Sequence, residues 1–416
     1  MAAQTTTPFI TLRWRLFITL ALLYILVYFY RVSLAVVSED VSRDLALTPE
    51  QLGTLAGVLF YVYAVAQLPL GPLIDRVGPR LVMSVCGLMT TIGGVLFARA
   101  EQLATAMAGR VLIGVGTASV LMATFTLFSR WYSRQEFSRV SGLMVAVGNL
   151  GNLAGTAPLA FAVGWLGWRD SFLVIALLQG LVTLLVFLKV QDRPPVTAEQ
   201  ESAADQPAPA MLQAWGVLAR DRSFWLLAGV AFFWYGNYLA VQGLWGGPYL
   251  MHLLQLPREG AGRMLMWTSV GFIIGSPLMD TLARRLFRSY SRTLLAGQLC
   301  LTGLMTGFLG WLPLLPGWAM ACYFLAIGLV VSSGVMIYPI IRQSVPVAMV
   351  GTGLTSLNFF VLLGAATTQQ VMGLVIERSG GYTLAGFRAA FALPVAGLLV
   401  ACLLFLLARN SPTSTD

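Results

Sequence analysis

Charge is scarce in this sequence. Only 10% of its 416 residues are Asp, Glu, Lys or Arg, against about a quarter in soluble domains. Lysine is nearly missing: Lys189 stands alone among 26 basic residues, and the rest are arginine. There is one histidine, His252, and the four cysteines, Cys86, Cys300, Cys322 and Cys402, fall in apolar runs without a C-x-x-C pair. A disulfide framework and a Cys/His metal site are therefore not expected. No nucleophile elbow and no paired carboxylates occur within an apolar run, so neither an enzyme nor a bound cofactor is expected. The net charge of +9 is scattered between apolar runs rather than gathered on a basic face, which argues against nucleic-acid binding. Arg13 and Arg15 precede an apolar run that is too long for a cleavable signal.

What is abundant is hydrophobicity, with 57% apolar residues and a mean hydropathy of +0.78. A membrane span needs about 20 such residues. Counting on that basis predicts spans near 16–37, 51–74, 81–99, 104–128, 138–163 and 171–190, then 223–250, 261–283, 292–312, 317–340, 352–376 and 384–408. The expected class is an all-α polytopic membrane protein of twelve transmembrane helices. They form two pseudo-symmetric six-helix bundles, 1–190 and 223–416, with a polar, proline-rich linker at 191–222. Alternating the loops between two sides puts 17 basic residues with the termini and eight opposite, so both termini are expected in the cytoplasm. A multi-pass protein of a cell membrane, a bacterial inner membrane for preference, follows.

The duplication has a local signature. Gly71-Pro72-Leu73-Ile74-Asp75-Arg76-Val77-Gly78-Pro79-Arg80 lies between two spans, and Ser276-Pro277-Leu278-Met279-Asp280, with Arg284 and Arg285 behind it, echoes it 205 positions later. A carboxylate beside guanidinium groups at a membrane edge suits a charged latch, or it simply sets topology. Span four adds Arg110-x-x-x-Gly114-x-Gly116, and Gly167-Trp168-Arg169-x-x-Phe172 precedes span six. Together these motifs resemble the major facilitator superfamily. The lead-in Phe60-Tyr61-x-Tyr63-Ala64-x-x-Gln67-x-Pro69-x-Gly71 is similar to its branches for organic anions, sugar phosphates or amino acids. The resemblance implies inverted repeats around a substrate cavity and transport by alternating access. The latch reading, supported by its second copy, assigns Asp75, Arg76, Arg80, Asp280, Arg284 and Arg285 to gating.

Arg110 sits well inside span four, where a guanidinium is costly and needs carbonyls, a carboxylate, water or a solute. Arg31 closes span one above Tyr24 and Tyr28, and it either snorkels to the interface or faces a solute. In the organic-anion branches an arginine at each of these places suits a carboxylate or phosphate. Proton-coupled members often have carboxylates where this chain has Tyr30 and Thr117, so a proton relay is unsupported and a coupling proton or sodium ion stays open. Span seven offers Tyr235, Tyr238, Gln242 and Trp245 on one helical face; Tyr63 and Asn358 are further polar candidates, as solute contacts or as bonds between helices. Gly151, Gly155 and Pro158 in span five read as helix packing. The leading expectation is a monomeric secondary transporter of a small organic anion in a lipid bilayer. The alternatives are a neutral or zwitterionic solute such as an amino acid or nucleoside, efflux of an amphiphile, or a transporter-like receptor that moves nothing.

Overall fold

The computed structural model describes residues 7–194, 211–346 and 349–410. Among these residues no strand occurs. In hydrocarbon each backbone N–H and C=O must find a partner inside its own segment, and the α-helix does this without neighbours. The helices in order are α1 (Thr7–Val32), α2 (Leu34–Asp44), α3 (Pro49–Val77), α4 (Pro79–Ala98), α5 (Leu103–Ala118), α6 (Val120–Trp131), α7 (Arg134–Ala154), α8 (Ala157–Lys189) and α9 (Met211–Arg220). Then come α10 (Arg222–Leu239), α11 (Gly246–Pro248), α12 (Arg258–Arg285), α13 (Tyr290–Met305), α14 (Gly317–Val331), α15 (Ile337–Ser344), α16 (Val350–Arg378) and α17 (Leu384–Asn410). Among the described residues, nine helical stretches are long and apolar enough to cross a membrane. The expected linker falls outside the described residues at 195–210, as do the chain ends at 1–6 and 411–416.

Several spans depart from simple α-helix. The first breaks at Ser33, so α2 continues it as a separate piece. The expected turn at Gly71–Arg80 is almost all helix: α3 runs through Pro69 and Pro72 to Val77, leaving Gly78 alone before α4. The fifth expected span stops at Ala154, and α8 then carries on to Lys189 with one non-helical residue, Gly167. Pro158 stands in the first turn of α8, where its missing N–H costs nothing. The seventh span turns π-helical over Ala240–Trp245 and Tyr249–Leu253. The tenth tightens to a 3-10 turn over Ser332–Met336. There the Trp234 indole N–H donates to the Val331 carbonyl at 2.7 Å, and the ring fills the space that a side chain on Gly334 would need.

The chain divides into two compact units. The first takes its described residues from Met1–Ser33 and Val65–Ala204, the second from Leu34–Ala64 and Asp205–Asp416. In the first, α4 packs on α5 and α8, and α1 packs on α7 and α8. A side chain on Gly151 would overlap the Ile25 carbonyl, and one on Gly155 would meet Val32, so α7 approaches α1 backbone to backbone. In the second, α10 packs on α16 and α17, α12 on α14, and α2 on the π-helical stretch Ala240–Trp245.

Candidate functional site

In the first unit the two candidate arginines lie on α5 and at the end of α1. Arg110, on α5, is 1% exposed, and its Nη1 donates to the Tyr30 carbonyl at 3.2 Å. Tyr30 immediately precedes Arg31, so the bond holds the span-four guanidinium beside the end of α1. A carbonyl takes one of the five N–H donors of a guanidinium, which orients the fork. Arg110 also lies over the Phe97 ring, 5.9 Å from its centroid. Arg31 is itself buried; its guanidinium sits 4.7 Å over the Tyr28 ring. Tyr28 in turn accepts from the Tyr24 hydroxyl at 3.3 Å. Each guanidinium is thus backed by an aromatic face, and guanidinium groups suit oxygens of negative charge.

The candidates of the second unit are uncharged. The Tyr238 ring lies 5.4 Å from that of Phe272 of α12, tilted by 31°. Gln242 is fully buried and donates from Nε2 to Ser269 Oγ at 2.8 Å, while its Oε1 has no hydrogen-bond partner. The expected single face does not survive the π-helical stretch. Trp245 turns away from α12, and its indole N–H donates to the Gln369 carbonyl of α16 at 2.9 Å. The wider turn of a π-helix shifts the register after Ala240. Tyr63 is buried near the middle of α3. Asn358 accepts from the Tyr338 hydroxyl at 3.2 Å, which is a bond between helices.

The gating candidates lie toward the C-terminal ends of α3 and α12, with Arg80 in the first turn of α4. Asp280 pairs with Arg284 on its own helix at 3.0 Å, both exposed, and such a surface pair is worth about 0–1 kcal/mol. Asp75, Arg76 and Arg285 are also exposed. Arg80 is engaged: its backbone N–H donates to Asp192 Oδ1 at 2.8 Å, and its Nε donates to the Phe187 carbonyl in the last turn of α8 at 2.8 Å. Asp192 falls within the expected linker, yet it packs against the start of α4. Nearby, Arg13 pairs with Glu136 at 2.7 Å, and Glu136 closes a capping box with Ser133 at the start of α7. The Arg13 hydrogen bond, then the Ser133 contacts, hold the Glu136 carboxyl below the usual range despite partial burial.

The family model of the Major Facilitator Superfamily matches residues 20–369. The chain belongs to this superfamily. As a major facilitator it is a transporter rather than an enzyme. It is 23% identical over 384 residues to a probable L-galactonate transporter of Escherichia coli (strain K12), covering 86% of this chain and 82% of that one. It is 24% identical over 296 residues to a probable sulfoacetate transporter of Cupriavidus necator, covering 68% of each. Among solved structures, a bacterial homolog of the human lysosomal transporter Spinster, inward-facing and unoccupied, superposes with a TM-score of 0.75 at 19% identity, covering 97% of both chains. That likeness concerns the fold.

Proposed function

We propose that this major facilitator is a secondary transporter of a small organic acid, with Arg110 and Arg31 receiving its carboxylate. The observation that carries the reading is the bond from Arg110 to the Tyr30 carbonyl, which sets one buried guanidinium beside the backbone that leads directly into a second buried arginine, Arg31. Each costs several kcal/mol to bury in a membrane protein. An anion returns that cost when it binds, and a forked guanidinium matches a carboxylate on two oxygens. The galactonate and sulfoacetate transporters among the relatives point to the same class of solute.

Tyr28 goes with these arginines in the first unit; within the second unit, Tyr238, Gln242, Tyr63 and Asn358 are the neutral candidates for solute contact. Transport proceeds by alternating access, through twelve spans in two sets of six joined by the 191–222 linker, with both termini in the cytoplasm. Asp75, Arg76, Arg80, Asp280, Arg284 and Arg285 bias that cycle from the membrane edge. Uptake of radiolabelled galactonate and sulfoacetate into proteoliposomes tests the reading. Arg110→Lys keeps the charge and loses the fork, so uptake is expected to fall at least tenfold while the protein stays folded. Unchanged carboxylate uptake in Arg110→Lys would sink the proposal.

A further inference from the structure

Among the described residues Asp40 is the one acidic side chain in the buried class. It lies on α2, where Val36, Val37 and Val41 share its buried surroundings. Two arginines reach it. Arg43, three residues on and 68% exposed, donates to Oδ1 at 2.9 Å. Arg258, at the first residue of α12, forms an ion pair with Oδ2. The second contact joins positions 218 apart in sequence and sits in a seam of unusually close contacts inside the second unit. A side chain on Gly247 would overlap the Ala35 carbonyl, and one on Gly53 would stand 2.6 Å from the Gln369 carbonyl. The Glu377 carboxylate accepts from the Glu50 backbone N–H at 2.9 Å. All of this lies at the Pro49 end of α3, about 40 Å from its Val77 end at 1.5 Å per residue.

The two arginines are not equivalent. Arg258 is on another helix, so any opening of the seam separates it from Asp40. Arg43 is on the same helix and travels with the carboxylate. A buried carboxylate stripped of its partner is strongly unfavourable, and that penalty would lock the seam shut if Arg258 were the sole partner. With Arg43 already bonded, the charge is never bare.

We propose that Asp40 is a shared carboxylate whose two arginines have opposite effects: Arg258 holds this end of the transporter closed, and Arg43 stabilises the opened state by keeping the carboxylate paired. The inference rests on the alternating-access reading, since a seam that never opens needs no standby partner. A contact that merely stabilised the fold would behave differently, because removing either arginine would then loosen the seam.

The test uses the full chain with Cys86, Cys300, Cys322 and Cys402 replaced by serine, and with Thr54→Cys and Gln370→Cys added. These two side chains face each other across the seam, with the Gln370 Nε2 donating to Thr54 Oγ1 at 3.4 Å. The rate of disulfide formation under mild oxidant reports the closed fraction in proteoliposomes and needs no transported solute, so it stands apart from the carboxylate proposal. Arg258→Gln is expected to slow cross-linking several-fold, and Arg43→Gln to speed it. Asp40→Asn should abolish the effect of Arg43→Gln. The exchange of Asp40→Arg with Arg258→Asp should recover part of the parent rate. Thermal unfolding of each variant separates seam opening from general loss of structure. Arg43→Gln and Arg258→Gln shifting the rate in the same direction, or neither shifting it, would overturn the proposal.

Discussion

Asp192 holds a carboxylate oxygen 2.8 Å from the backbone nitrogen of Arg80, and its other oxygen occupies the place where a side chain on Gly78 would stand. One acid just beyond α8 thus caps the start of α4 and explains the motif's second glycine. The cap carries charge toward a helix N-terminus, the favourable sense of the helix dipole.

Gly78 has φ 100° and ψ 143°, a backbone region that L side chains rarely adopt. Gly78→Ala therefore combines backbone strain with a clash against Asp192. A loss of about 1–3 kcal/mol is expected from the strain alone, measured by thermal unfolding of the detergent-purified protein. Combining it with Asp192→Ala removes the clash and leaves the strain. The double variant should be more stable than the sum of the single losses, the coupling expected of residues in contact.

Gln242 separates stability from transport. Its Nε2 bonds to Ser269 while Oε1 stays unpartnered in a fully buried place. Replacing it by leucine removes an unsatisfied acceptor along with one hydrogen bond, so folding should change by less than about 1 kcal/mol. If the amide oxygen reaches a hydroxyl of the solute, as the proposed function holds, KM for a hydroxy acid rises several-fold in Gln242→Leu. An unaltered KM would remove Gln242 from the solute contacts.

The long apolar runs, the 205-residue echo and the motif around Arg110 were readable because hydrophobicity and charge placement dictate them directly. Pairing was harder to read. Trp245 shares a face with Gln242 only at 3.6 residues per turn, and the π-helical stretch Ala240–Trp245 breaks that spacing without a sequence sign beyond Gly243. Arg258 entered only as a charge to be counted for topology, because its partner Asp40 is 218 positions away. Asp40 itself was within reach: its spacing from Val36 and Val37 puts it on the apolar face of α2, an anomaly that asks for a partner. The motif's charges were expected to act together, yet Arg80 turns to Asp192 and Phe187, and a single chain pattern does not reveal which of several acids folds against it.

Gly151 offers a test of close packing. A larger residue there meets the Ile25 carbonyl of α1, which is backbone and cannot swing aside as a side chain could. Gly151→Val should force α7 away from α1 and cost about 1–3 kcal/mol or more, as overpacking does. The measurement is the melting temperature together with the monodisperse yield on size exclusion. Gly142, where a side chain would meet nothing within 4 Å, is the control, and Gly142→Ala should keep the yield and leave the melting temperature equal or slightly raised, since alanine is the better helix former.

The last prediction concerns acid. Arg13 and Ser133 hold the Glu136 carboxyl below its ordinary value, so the folded protein releases this proton more readily than the unfolded chain. The unfolded state therefore binds more protons in the window between the two values, and stability rises with pH there. The contribution is fully present above the ordinary glutamate value of about 4.3 and is lost as pH falls below it through the depressed folded value. Glu136 is 46% exposed, so solvent screening keeps the gain small, within about 1 kcal/mol. Glu136→Gln should lower the melting temperature by about 1 °C or less at pH 7, by less at high salt, and by progressively less as pH falls below about 4. A melting-temperature difference between the two proteins that stayed constant from pH 7 to pH 3 would show that the capping geometry, rather than the Arg13 pair, supplies what Glu136 contributes.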